Sequence, residues 1–134
     1  MSSRVIFACI HNAGRSQMAA AFFNAIADPD EATAVSAGTE PATQLHPEVI
    51  SAMQEVGIDL SNMKPQLLTR ELAAGAQFLV TMGCGDRCPV SPGTEILEWT
   101  IEDPKGGPIE RVREIREDIR RRVQEFASAN GWGG

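Results

Sequence analysis

Short apolar runs alternate with longer amphipathic segments along this chain. Val5-Ile6-Phe7-Ala8 predicts a strand over 4–8, and Met18, Phe22 and Ile26, recurring every four residues beside Phe23, predict a helix over about 16–27. Asp28-Pro29 ends that helix. A second strand reads over 33–37, a second helix over 47–56 with Pro47 at its start and Gly57 at its stop, and a short helix over 69–74. Two more apolar strands follow, over 77–82 and 95–99. The last helix, about 108–129, carries one stripe of Ile109, Val112, Ile115, Ile119, Val123 and Phe126. Strands that alternate with helices predict an α/β fold: a parallel sheet of four strands, covered by helices on both faces in three layers.

In open parallel sheets, ligands bind beyond the carboxyl ends of the strands. Cys9-Ile10-His11-Asn12-Ala13-Gly14-Arg15-Ser16 lies at such an end, between the first strand and the first helix. A short loop that opens a helix turns backbone N–H groups toward one point, a site for a tetrahedral oxyanion. A helix start and a nearby guanidinium also favour a thiolate over a thiol, which makes Cys9 the candidate nucleophile. Arg15 offers a planar fork matched to two oxygens of a phosphate-like ion. Ser16 is placed to donate to the sulfur, Asn12 to hold the loop with its amide, and Gly14 to supply a backbone angle that a side chain resists. C-x5-R alone occurs by chance, and a lone strand-end cysteine is usually just buried. C-x2-N-x2-R-S directly after a strand is far more specific.

The same topology brings distant residues to one edge. Asp103-Pro104 follows the fourth strand and Cys84 the third, so both are expected beside Cys9. Asp103 is the candidate general acid. Cys84 and Cys88 stand in Gly83-Cys84-Gly85-Asp86-Arg87-Cys88-Pro89, where glycines and proline suit a thiol that attacks one partner and then serves another. A zinc pair and two inert loop cysteines are the competing readings. Zinc lacks ligands, since only His11 and His46 accompany the C-x3-C pair, so no metal site is expected.

Composition narrows the class. The chain has 134 residues, 43% of them hydrophobic, and no apolar run approaching the ~18 residues of a membrane span. One soluble domain, 1–134, without a membrane partner is expected. Residues 1–8 lack the apolar stretch of a secretion signal, and three cysteines are an odd count that suits reduced thiols, so a cytoplasmic location is expected. A net charge of −6 argues against nucleic acid. The arginine-rich last helix is interleaved with Glu110, Glu114, Glu117, Asp118 and Glu125, with Glu117–Arg121 and Asp118–Arg122 spaced for ion pairs, the pattern of a solvated face.

These motifs together resemble the low-molecular-weight protein tyrosine phosphatase family, and more closely its arsenate reductase branch. The resemblance is carried by the Cys9 loop with its Arg15-Ser16-Gln17-Met18-Ala19 continuation, Val35-Ser36-Ala37-Gly38-Thr39, His46-Pro47, Val56-Gly57-Ile58-Asp59, the cysteine pair and Asp103-Pro104. It implies a single-domain fold with Cys9 as nucleophile and Asp103 as acid. Ile10, His11, Asn12, Ala13, Gly14, Arg15 and Ser16 would form the oxyanion site. It further implies a relay: arsenate forms an adduct on Cys9, Cys84 attacks Cys9 and arsenite leaves, and Cys88 attacks Cys84. The disulfide then passes outward to thioredoxin, or to a glutaredoxin/glutathione or mycothiol system, with no bound cofactor.

Three departures from the family pattern stand out. The relay cysteines lie closer together than in thioredoxin-linked members, the loop lacks the extra cysteine of relatives, and Ala20 replaces a glutamate that helps bind potassium in some members, so no such site is expected. The alternative within the family is a protein tyrosine or small-molecule phosphatase. Against it, family phosphatases commonly follow Asp-Pro with tyrosines, whereas Lys105-Gly106-Gly107 follows here and the chain has no tyrosine.

Overall fold

The computed structural model describes residues 3–83, 93–104 and 106–132. Within them β1 (Ser3–Cys9), β2 (Ala32–Gly38), β3 (Phe78–Thr81) and β4 (Glu95–Glu98) alternate with α1 (Arg15–Ile26), α2 (Pro47–Gln54), α3 (Arg70–Ala73) and α4 (Ile109–Ala129). The strands form one parallel sheet in the order β2-β1-β3-β4. This is the α/β architecture that the alternating pattern predicts.

The strand order explains the unbroken apolar run at the start of the chain. β1 is interior to the sheet and both its faces are covered, so Val5, Ile6, Phe7 and Ala8 are all fully buried. Alternation sends Val5, Phe7 and Cys9 into the main core with Met18, Val49 and Val112, while Ile6 and Ala8 join a smaller cluster with Leu68, Ala73 and Leu79. The stripe on α4 is buried as expected, from Val112 to Phe126. Phe126 collects the rings of Phe7, Phe23, Phe78, Trp99 and Trp132 at centroid distances of 5.2 to 6.5 Å. One helix end thereby ties α1 and α4 to the same face of the sheet.

The two outer strands are finished differently. On β2, Asn24 of α1 exchanges both hydrogen bonds with Ala34, and the chain at 66–68 bonds with Gly38, so the open edge is covered. β4 is exposed at Glu95, Ile96 and Glu98, more polar in setting than an apolar fourth strand suggests. Among the described residues it pairs on one side only, and charged residues suit an edge.

Local chemistry sets most element ends. Gly57 adopts φ 83°, and its N–H and that of Ile58 turn back to Gln54 and Met53, so α2 stops at Gln54 instead of 56. Thr69 caps α3 through its hydroxyl, which accepts from the Leu72 N–H at 3.0 Å. On the solvated face of α4, Arg122 meets Asp118 as its spacing predicts. Arg121 does not take Glu117; it bonds Asp118 and lies 3.7 Å from Glu125, because Glu117 is occupied by Arg116 and Arg120. Arg113 and Arg116 also reach Glu55 beyond α2, and their hydrogen bonds hold its carboxyl down at about 2. Among the described residues no helix is long and apolar enough to cross a membrane.

Candidate active site

Cys9 is the last residue of β1, paired with Gly38 of β2, and α1 begins at Arg15. The intervening loop is held from outside through its carbonyls. Those of Cys9, Ile10, His11 and Ala13 accept from the N–H groups of Thr39, Glu40, Ala42 and His46, and that of Asn12 accepts from the Gln17 side chain. In a trans peptide the N–H points opposite to the carbonyl. The N–H groups of residues 10, 11, 12 and 14 are therefore turned away from the 39–46 segment. Among the described residues no side chain caps the start of α1, whose first-turn N–H groups have no intrahelical partner. Both features suit an anion.

A chain of hydrogen bonds ends on the nucleophile. The Gln66 N–H donates to Asn12 Oδ1 at 2.9 Å, and Gln17 Nε2 donates to the same oxygen at 3.1 Å. With two donors on its oxygen, the Asn12 amide must present Nδ2 on its other side, where it donates to Ser16 Oγ at 2.7 Å. The Ser16 hydroxyl, having accepted that bond, still has its own proton to offer, and its oxygen lies 2.9 Å from Cys9 Sγ. Asn12, Ser16, Gln17 and Cys9 are buried, Cys9 at 2% exposure, while Gln66 reaches in from the surface.

Arg15 is aimed from two sides. Its Nη1 donates to the Ile101 carbonyl at 3.1 Å, and its Nη2 lies 3.8 Å from Asp103 Oδ2. Gly83, at φ 103°, leaves no room for a side chain, since a Cβ there would sit 2.8 Å from Arg15 Nη1. The fold thus joins Cys9, Asn12, Ser16 and Arg15 in one loop and sets Asp103 beside Arg15, as strand order predicts. Cys84 and Cys88 lie outside the described residues. Ile10, His11 and Ala13 contribute through backbone carbonyls, and His11 Nδ1 also contacts the Glu40 carbonyl at 3.1 Å.

One expectation changes. The left-handed residue of the loop is Asn12, at φ 52°, and not Gly14, at φ −147°. Asparagine tolerates that region because its short amide bonds locally, as it does here. Gly14 matters for space: a Cβ there would lie 3.2 Å from Pro104, the neighbour of Asp103.

Three residues of this site are given no role by the sequence pattern, although Gln17 and Gly38 lie within its motifs. Gln17 is buried within the first helix, and a polar residue on a buried face is the one available clue. Gln66 offers none, since it acts through its backbone N–H. Gly38 ends its strand without a positive φ, yet its Cβ would stand 2.6 Å from the Ile10 carbonyl oxygen and 2.9 Å from the Asn12 nitrogen. Backbone atoms cannot yield as a flexible side chain does. Gly38→Ala is expected to lower the melting temperature, consistent with an overpacking cost of about 1–3 kcal/mol, and to abolish the stabilisation that added phosphate gives the parent. A thermal melt with and without phosphate reads both; unchanged phosphate stabilisation would mean the loop does not depend on this contact.

Comparison with known proteins bears on the chemistry. The family described as low molecular weight phosphotyrosine protein phosphatase matches residues 4–130. An arsenate reductase of Shouchella clausii is 38% identical over 138 residues, covering 95% of this chain and 97% of that protein. A thioredoxin-dependent arsenate reductase of Corynebacterium glutamicum superposes with a TM-score of 0.82 at 37% identity over 96% of this chain, which spans 61% of that protein's length. An arsenate reductase solved in a phosphate-binding state has a TM-score of 0.80 and 29% identity, over 95% of this chain and 98% of that one.

Proposed function

Because the chain belongs to the low molecular weight phosphotyrosine protein phosphatase family and is homologous to known arsenate reductases, we propose that it reduces arsenate to arsenite at Cys9, with an external thiol protein of the thioredoxin kind as reductant. The observation that carries this reading is the relay of hydrogen bonds from Gln66 and Gln17 through Asn12 and Ser16 to the Cys9 sulfur, at the uncapped start of α1. It prepares a nucleophile where an oxyanion would sit. Residues 1–134 act as one domain in this reading.

The steps balance with this chain's residues. Arsenate lies in the loop of residues 10 to 16 with Arg15 on its oxygens. The Cys9 thiolate attacks arsenic, an arsenic–oxygen bond breaks, and Asp103 protonates the oxygen, which leaves as water. Cys84 then attacks the Cys9 sulfur. A disulfide forms, the electron pair of the sulfur–arsenic bond goes to arsenic, and As(V) becomes As(III). Two thiolates thereby supply the two electrons. Cys88 attacks Cys84, which frees Cys9 and leaves a Cys84–Cys88 disulfide for the external thiol to reduce.

Arsenite release measured with thioredoxin, glutaredoxin/glutathione and mycothiol systems in parallel tests the proposal. Sustained turnover is expected with thioredoxin. Hydrolysis of an aryl phosphate without arsenite release under any of the three would replace this reading with a phosphatase, which needs Cys9, Arg15 and Asp103 alone.

A further inference from the structure

The segment that carries Asp103 runs between β4 and α4, and it is held on both flanks of that residue. On the inner flank, the Arg15 guanidinium bonds the Ile101 carbonyl, and Pro104 is buried against Gly14. On the outer flank stands Arg111, in the first turn of α4. Its Nε and Nη2 donate to the two oxygens of Glu102 at 2.8 and 2.6 Å, a bidentate pair. Its Nη1 bonds Glu114 one turn further on, which fixes the guanidinium plane. The Gly107 N–H closes the turn onto the Pro104 carbonyl at 3.1 Å. Clamping Glu102 to α4 anchors the residue next to Asp103, whose Oδ2 lies 3.8 Å from Arg15 Nη2.

We propose that Arg111, acting through Glu102, is a positioning residue that aims the Asp103 carboxyl at the oxyanion loop and so sets how well it protonates the departing oxygen. This rests on the reading of Asp103 as general acid. Arg111 touches neither substrate nor Cys9. The pair is built for position more than for stability: both side chains are about half exposed, at 42% and 55%, and exposed ion pairs contribute little to folding. The Arg111 bonds hold the Glu102 carboxyl below its ordinary range.

A misplacement of about 1 Å at a reacting group costs on the order of a hundredfold in rate. The test is the first-turnover rate with arsenate in excess, with hydrolysis of phenyl phosphate and 4-nitrophenyl phosphate as a second measure. Glu102→Gln and Arg111→Gln are each expected to lower the saturated rate by about tenfold to a hundredfold with KM unchanged. Phenyl phosphate should suffer more than 4-nitrophenyl phosphate, because the poorer leaving group depends more on the proton. Exchange of the charges, Glu102→Arg with Arg111→Glu, should restore much of the loss. In an Asp103→Asn background, Arg111→Gln should add nothing.

The acid and the clamp can fail separately. If Asp103→Asn matches the parent, Asp103 is not the acid, and the proposal falls with that reading. If Asp103→Asn is impaired while the Glu102 and Arg111 variants keep the parent rate, the clamp alone is overturned. It is overturned as well if those variants slow both aryl phosphates equally, or if Arg111→Gln impairs the Asp103→Asn enzyme further. Absence of both arsenate reduction and aryl phosphate hydrolysis in the parent overturns both.

Discussion

Cys9→Ser is expected to reduce arsenate turnover and aryl phosphate hydrolysis to background while leaving oxyanion binding within a few-fold of the parent. Both reactions begin with attack by sulfur, and a serine hydroxyl in the same place is a weak nucleophile without a base. The binding elements survive the change. The loop carbonyls are held by residues 39 to 46, and Arg15 by Ile101, with no involvement of the sulfur. Oxygen is smaller than sulfur, so the buried site is not overfilled. Arsenite release, 4-nitrophenyl phosphate hydrolysis and phosphate-induced thermal stabilisation measure the three quantities. Appreciable turnover in the variant would remove Cys9 from the mechanism; loss of phosphate stabilisation would mean that the sulfur shapes the cradle itself.

The second large effect separates reduction from hydrolysis within one protein. Cys84→Ser should abolish catalytic arsenate reduction and spare the slower hydrolysis of an aryl phosphate, which requires one thiol only. Cys88→Ser should complete a single round, leave a Cys9–Cys84 disulfide and fail to recycle with thioredoxin, because nothing carries the oxidised bond outward. Peptide mapping after one addition of arsenate detects each disulfide. Normal turnover of Cys88→Ser with thioredoxin would remove the outward relay. If both variants reduce arsenate like the parent, the external thiol attacks Cys9 directly.

Much of the architecture was legible because its signals are local. An apolar run covered on both faces is what a central parallel strand requires, and the α4 stripe repeats with the helical period, so both elements stand where the pattern puts them. The nucleophile loop was legible for the same reason: its cysteine, asparagine, arginine and serine lie within one turn of chain. The exchange between Asn12 and Gly14 shows the limit. Glycine is the default for a left-handed position, but asparagine takes it here because its amide finds Gln17, Gln66 and Ser16.

The sequence by itself determined the elements, their parallel arrangement and the residues of the oxyanion loop, since each depends on the period of apolar residues or on side chains a few positions apart. Only the tertiary structure decided what holds that loop in shape. Gln66 bonds Asn12 from 54 residues away, and Arg15 reaches Ile101 across 86. Gly38 gives the loop its room and Arg111 grips Glu102. These contacts leave no mark in the local pattern, because a backbone N–H, a missing Cβ or an exposed ion pair acquires meaning only when the chain brings its partner within a few ångströms.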